Sequence, residues 1–245
     1  MEIVLAAPPS YYEQAVKTGF KTMLLSYKTA ENGVLYKPAE VSPSKYGMIN
    51  FELKKIDNRI SDLIINECRK YNISGAALSC EQVSNTSGKF VCDICSRLGR
   101  EGISVYVPSS FPQSCIGIRM YDSCITGGSY EDYLKSTKQK NGATALLIDI
   151  MCCDFLLPSK SGVGRDLSPA EYNSIRTSTE HKSYFSKELY TNYFWYRKNG
   201  DIHFILYDTS MTIRQKLLAA KSFGIDACFL YYPQVSGMLT SILGK

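Results

Sequence analysis

The sequence predicts an α/β fold, a single (β/α)8 TIM-type barrel domain over residues 1–245, trimmed or irregular around its second and third strands. Three observations carry this. Eight short apolar runs of strand character recur along the chain, most of them separated by helical patterns. The length of 245 residues matches the roughly 250 that eight such strand–helix units need. The first turn, Ala6-Ala7-Pro8-Pro9, lacks the glycines with which the alternative, a doubly wound open sheet, would cradle a phosphate.

Ile3–Ala6 is the first predicted strand, ended by Pro8-Pro9. Ser10 is placed to cap a helix from Tyr11 to Thr18, which Gly19 closes. Thr22–Tyr27 is the second strand, and Thr29-Ala30-Glu31-Asn32-Gly33 is a turn. Residues 28–45 show no helical pattern, which is why irregularity is expected there. Tyr46–Leu53 is the third strand. Ile60, Leu63, Ile64 and Cys68 share one side of a helix running to Tyr71, with Glu67, Arg69 and Lys70 on the other. The fourth strand, Ser74–Ser79, is a run of small, mostly apolar residues, as in strands buried on both faces. A helix over Lys89–Arg100 leads to the fifth, Ile103–Val107. Pro108 to Gly128 is irregular, with Pro112 and paired Gly127-Gly128. A helix from Tyr130 to Lys138 precedes the sixth strand, Ala143–Met151. After the loop Pro158–Asp166, Ser168-Pro169-Ala170-Glu171 marks a helix start with proline at its first position. Ile202–Tyr207 is the seventh strand, Ile213–Phe223 a helix closed by Gly224, and Ala227–Tyr232 the eighth strand. This assignment leaves no room for an inserted domain.

Composition narrows the function classes. The net charge of +5 comes from scattered lysines rather than a basic block, so nucleic acid is not an expected partner. No apolar run reaches the roughly 18 residues of a membrane span. Met1–Pro9 lacks the basic region of a signal peptide. Nine cysteines fall largely within predicted elements, with Cys68, Cys92 and Cys95 on helices and Cys80, Cys152, Cys153 and Cys228 on strands. Neighbours on a strand point to opposite faces, so Cys152 and Cys153 would not pair. The expectation is free thiols in a cytoplasmic or other reducing compartment, with secretion after removal of a signal as the other reading. Cys92-x-x-Cys95 has no second pair at ligand spacing and only His181 and His203 accompany it, so neither metal nor cofactor is expected.

The stretch Ser74-Gly75-Ala76-Ala77-Leu78-Ser79-Cys80-Glu81 places a carboxylate where a buried strand gives way to a loop. Side chains at the C-terminal ends of barrel strands form the active sites of this fold. The spacing resembles the strand-four signature D-G-x-D-x-D-x-E of glycoside hydrolase family 18, the chitinases and their relatives. Gly75 matches the glycine and Glu81 the catalytic acid, while Ser74, Ala77 and Ser79 stand at the three aspartates. Met151-Cys152-Cys153-Asp154-Phe155 resembles the strand-six motif M-x-Y-D-F, with Cys153 at the tyrosine. Tyr207-Asp208, Ser210, Ile213 and Lys216 resemble the family's Y-D-x-x-S-i-x-x-K, and Tyr231 falls at the tryptophan that floors the sugar site. Thr29–Tyr36 is similar to the family's loop after strand two.

The resemblance implies a retaining mechanism in which the substrate's own acetamido oxygen is the nucleophile. It makes Glu81 the candidate acid, with Ser79 and Cys153 at the positions of its helpers. Asp154, Tyr207, Tyr231 and Tyr27, at or near predicted strand ends, are the expected sugar contacts. Ser79 carries no charge, and Cys153 is a weak donor. The expected function is therefore a chitinase-like barrel that binds an N-acetylhexosamine glycan, or a protein partner, without efficient hydrolysis. The other reading is an active glycosidase with Glu81 as acid and an altered partner. Tyr193–Tyr196 is an aromatic run expected at a buried barrel edge, with a sugar platform as its other reading.

Overall fold

A computed structural model describes residues 1–30, 33–54, 58–80, 85–158 and 162–244. The first elements are β1 (Glu2–Ala7), α1 (Pro9–Lys17), β2 (Lys21–Thr29), β3 (Leu35–Tyr36), β4 (Met48–Glu52) and α2 (Asn58–Tyr71). There follow β5 (Gly75–Ser79), α3 (Asn85–Arg100), β6 (Ser104–Pro108), β7 (Ile118–Asp122), α4 (Tyr130–Asn141) and β8 (Thr144–Ile148). The next group is β9 (Cys152–Leu157), β10 (Arg165–Asp166), α5 (Pro169–Ser178), β11 (Tyr184–Ser186), β12 (Thr191–Lys198), β13 (Asp201–Tyr207) and α6 (Ser210–Ser222). β14 (Ala227–Tyr231), α7 (Tyr232–Val235) and α8 (Leu239–Leu243) complete the order.

β1, β2, β4, β5, β6, β7, β8 and β14 form a closed parallel barrel, with β1 pairing both β2 and β14. This is the (β/α)8 architecture the sequence predicts. Its interior is apolar because alternate residues of each strand turn inward. Val4, Met23, Met48, Ala77, Tyr106, Met120 and Phe229 meet there. Gly75 lies against Met48: a Cβ at that position would stand 2.9 Å from the Met48 methyl and would require that side chain to shift. As expected from residues 28–45, no helix joins β2 to β4 among the described residues; β3 folds back antiparallel on β2.

Two strand assignments are corrected. Ile202–Tyr207 is not a barrel strand but part of β13, in a separate five-stranded antiparallel sheet ordered β10-β9-β13-β12-β11. β7, hidden in the stretch that reads as irregular, is the sixth barrel strand, which makes β8 the seventh. Met151–Phe155, which resembles the strand-six motif, instead leads into and opens the second sheet at β9. Between β6 and β7 there is a loop in place of a helix. Arg119, buried on β7, fixes it by donating to the carbonyls of Phe111, Pro112 and Cys115 at 2.9, 2.6 and 3.0 Å.

The chain divides into two compact units. The barrel belongs to Met1–Tyr121, Lys138–Leu147 and Ile225–Pro233; the second unit is Asp122–Thr137, Ile148–Gly224 and Gln234–Lys245. The second sheet is the insertion, between the seventh and eighth barrel strands, that the sequence assignment left no room for. One face buries Leu167, Phe194, Tyr196, Ile205 and Tyr207, with Tyr172 and Ile175 of α5 against it. The other buries Met151, Phe155 and Leu206. The hairpin β12–β13 turns on Asn199-Gly200, both at positive φ (52° and 91°), as a two-residue turn between right-twisted strands requires. The thiols are also corrected: Cys92 and Cys115 form a disulfide tying α3 to the loop before β7, while Cys68, Cys95, Cys124, Cys152, Cys153 and Cys228 carry free thiols. No helix among the described residues is long and apolar enough to cross a membrane.

Candidate functional site

The signature stretch lies on the fourth barrel strand, β5, where the resemblance requires it. Ala77 packs into the apolar interior. Ser79, two residues on, has the same side of the strand and is half-buried at its C-terminal end. Its hydroxyl donates to the Phe51 carbonyl at 3.4 Å and accepts from Asn50 Nδ2 at 3.5 Å. Glu81 lies outside the described residues. So does Asn32 of the loop after strand two.

A carboxylate that the sequence reading missed stands next to Ser79. Glu52 ends β4 in direct register with Ser79, and the two share a face of the sheet. Lys28, from β2, holds Glu52 in an ion pair of 2.6 Å. Nothing in Met48–Glu52 alone marks Glu52 as special; only the parallel register brings it to strand four. At the eighth strand, Tyr231 ends β14 two residues beyond the inward-facing Phe229 and is 37% exposed.

Tyr27 is not at this site. Met23 faces the interior and Leu25 packs against the same cluster, so strict alternation would send Tyr27 inward as well. An extra residue in β2 opposite β4, with Ser26 at φ 118°, reverses it. Tyr27 is therefore buried, edge-on to Phe51, and donates its hydroxyl to Glu67 Oε1 at 3.2 Å. Burial, and then the charge of Glu67, raise its pKa. Lys37 closes the other Glu67 oxygen.

Asp154, Cys153 and Tyr207 are corrected together, since all three belong to the second sheet rather than to barrel strands. Asp154 is buried and accepts from Tyr196 at 3.4 Å, and its Oδ1 lies 3.0 Å from His203 Nδ1. Tyr207 packs against Tyr172 and Phe194, with ring centroids 5.2 and 5.8 Å away. Cys153 donates to Asp166 Oδ1 at 3.0 Å. Burial, then that hydrogen bond, push its pKa up to about 12. It is thus a neutral thiol at physiological pH. A cavity of about 530 Å³ in this second unit is lined by Cys153, Cys152, Cys124, Asp122, Asp149 and Asp166, among others. Partial enclosure, and then the charge of Asp122, raise the pKa of Asp149.

No family model matches the sequence, and no curated protein matches it. Solved structures do match. The spore cortex-lytic enzyme SleL of Bacillus cereus superposes with a TM-score of 0.67 at 14% identity, over 98% of this chain and 74% of that one. A family GH18 chitinase of Cycas revoluta, solved in complex with (GlcNAc)3, gives 0.65 at 13% identity, over 99% and 98%. A chitinase of Chromobacterium violaceum gives 0.64 at 12%, over 94% and 93%. The fold is that of the family 18 chitinases. Identities this low establish the scaffold, a chitinase-like barrel, and leave the chemistry to the residues present.

Proposed function

We propose that this chitinase-like barrel binds an N-acetylhexosamine glycan and does not hydrolyse it efficiently. The observation that carries the reading is the fourth strand. At the two positions where the family signature has inward-pointing aspartates, this chain has Ala77, embedded among apolar side chains, and Ser79, an uncharged hydroxyl. Removing one preorganised electrostatic partner lowers kcat by about 10²–10³-fold. Ser79 thus takes the place of the carboxyl that, in the signature, stands two residues before the acid. Binding is supported by Tyr231, which offers an exposed ring at the end of the eighth strand, and by the shared fold of a chitinase solved with (GlcNAc)3.

The second reading, a working glycosidase, is favoured by Glu52. A carboxylate beside Ser79 could take over the charge that strand four has lost. Its ion pair with Lys28 weighs against this, because the cation offsets the negative charge. Calorimetric titration with an N-acetylglucosamine tetramer tests the proposal. Binding is expected to weaken about ten-fold or more in Tyr231→Ala, as loss of a stacking ring implies. An unmodified protein that binds no oligomer at all would overturn it.

A further inference from the structure

Alternation splits the aromatic run Tyr193–Tyr196 between the two faces of the second unit's sheet. Phe194 and Tyr196 are buried under α5, and Trp195 points the other way. Trp195 is the only tryptophan of the chain, and it is 52% exposed. The strand register arranges its face in rows. Tyr184 stands beside Tyr193, Trp195 beside Phe204, and Arg197 beside Ile202 and Leu157. Tyr184, Leu157 and Ile202 are also exposed, at 42%, 40% and 37%. A contiguous apolar face of this kind marks an interaction site more often than a bare surface.

Close to Trp195 its charge is positive, and the carboxylate of this face, Asp166, lies three strands away on β10, in the row of Cys153, Leu206 and Tyr193. Arg197 is exposed two residues beyond Trp195 on the same face, and Lys182 sets its ammonium 5.6 Å above the Tyr184 ring. None of the β11–β13 strand positions in these rows is acidic. An indole beside a guanidinium suits a partner that is flat and apolar on one side and anionic at its edge. A pyranose bearing a carboxylate has both features: its C–H face stacks on an aromatic ring, and its carboxylate takes a two-pronged hydrogen bond from arginine.

We infer that this face, centred on Trp195 and Arg197, is a second glycan-binding surface, selective for a carboxylate-bearing polysaccharide. The inference rests on the glycan-binding reading above but uses none of the barrel residues that carry it. A single tryptophan makes the test direct. The probes are a hyaluronan octamer, in which N-acetylglucosamine alternates with glucuronate, and a neutral N-acetylglucosamine oligomer. Trp195 emission should shift to shorter wavelength and lose its accessibility to acrylamide with hyaluronan and not with the neutral sugar. The hyaluronan affinity should fall at least ten-fold in Arg197→Ala and in Trp195→Ala, measured by calorimetry. No change in Trp195 emission with hyaluronan overturns the inference. If calorimetry still shows the neutral oligomer binding, the barrel reading survives that failure; if neither sugar binds, both fall. Perturbation of Trp195 by anionic phospholipid vesicles in place of hyaluronan would make the face a lipid contact and would also overturn it.

Discussion

Ser79 and Tyr27 show how one residue decides what a barrel strand offers its site. Ser79 ends the fourth barrel strand with an uncharged hydroxyl. At Tyr27 the residue type suits a sugar contact, and one extra residue in the strand turns it away. The consequence is testable, because Tyr27 is bound to the buried Glu67. Tyr27→Phe removes a hydrogen bond to a charged group and should cost about 1.5–3 kcal/mol. Denaturant unfolding would read this loss, while oligosaccharide affinity stays unchanged. Lost affinity with intact stability would put Tyr27 back at the sugar site.

Among the elements, α6 and α5 show what local sequence can and cannot tell. The side chains of Lys216 and Asp208 are buried and form an ion pair of 2.6 Å. Asp208 also accepts from Met151 N, Thr191 Oγ1 and Thr212 Oγ1, so its oxygens are satisfied. Lys216→Met strands that carboxylate and should cost about 3–5 kcal/mol. Adding Asp208→Asn should recover part of the loss in denaturant titrations; no recovery would mean that the charge is not what matters. α5 begins as predicted at Ser168-Pro169, and Glu171 completes a capping box. Hydrogen bonds from Ser168 N and from Arg165 hold the Glu171 pKa down, at about 2 against an ordinary 4.5. The sign follows: a depressed carboxylate stabilises the folded chain above its ordinary pKa, and that stability fades as pH falls from about 4.5 through about 2. Glu171→Gln should therefore be less sensitive than the unmodified protein to a change from pH 6 to pH 3, in the denaturation midpoint. Equal pH sensitivity would refute the assignment.

For the whole molecule, the barrel was legible and its seventh crossover was not. Apolar runs, small residues on β5 and the cap of α5 are local signals, and each was met by the structure. β7 is hard to see in the sequence because its five residues, Ile118–Asp122, include Arg119 and Asp122 and lack the apolar continuity of a barrel strand. Ile202–Tyr207 was misassigned because a strand's own pattern does not say which sheet it joins. Asn199-Gly200 between two alternating runs was the available hairpin signal. It would have tied β13 to β12 and revealed the inserted sheet. Asp154, Cys153 and Tyr207 belong to that sheet rather than to barrel strands, whereas Glu52 reaches Ser79 through a register that no linear pattern displays. The proposal that the fourth strand lacks the charge hydrolysis needs is tested most directly by product release. Reducing ends from an N-acetylglucosamine tetramer should appear no faster with the unmodified protein than with Glu81→Gln, and should become measurable in Ser79→Asp. Robust turnover by the unmodified protein that disappears in both Glu81→Gln and Glu52→Gln would contradict this account and establish a working glycosidase with a relocated carboxylate.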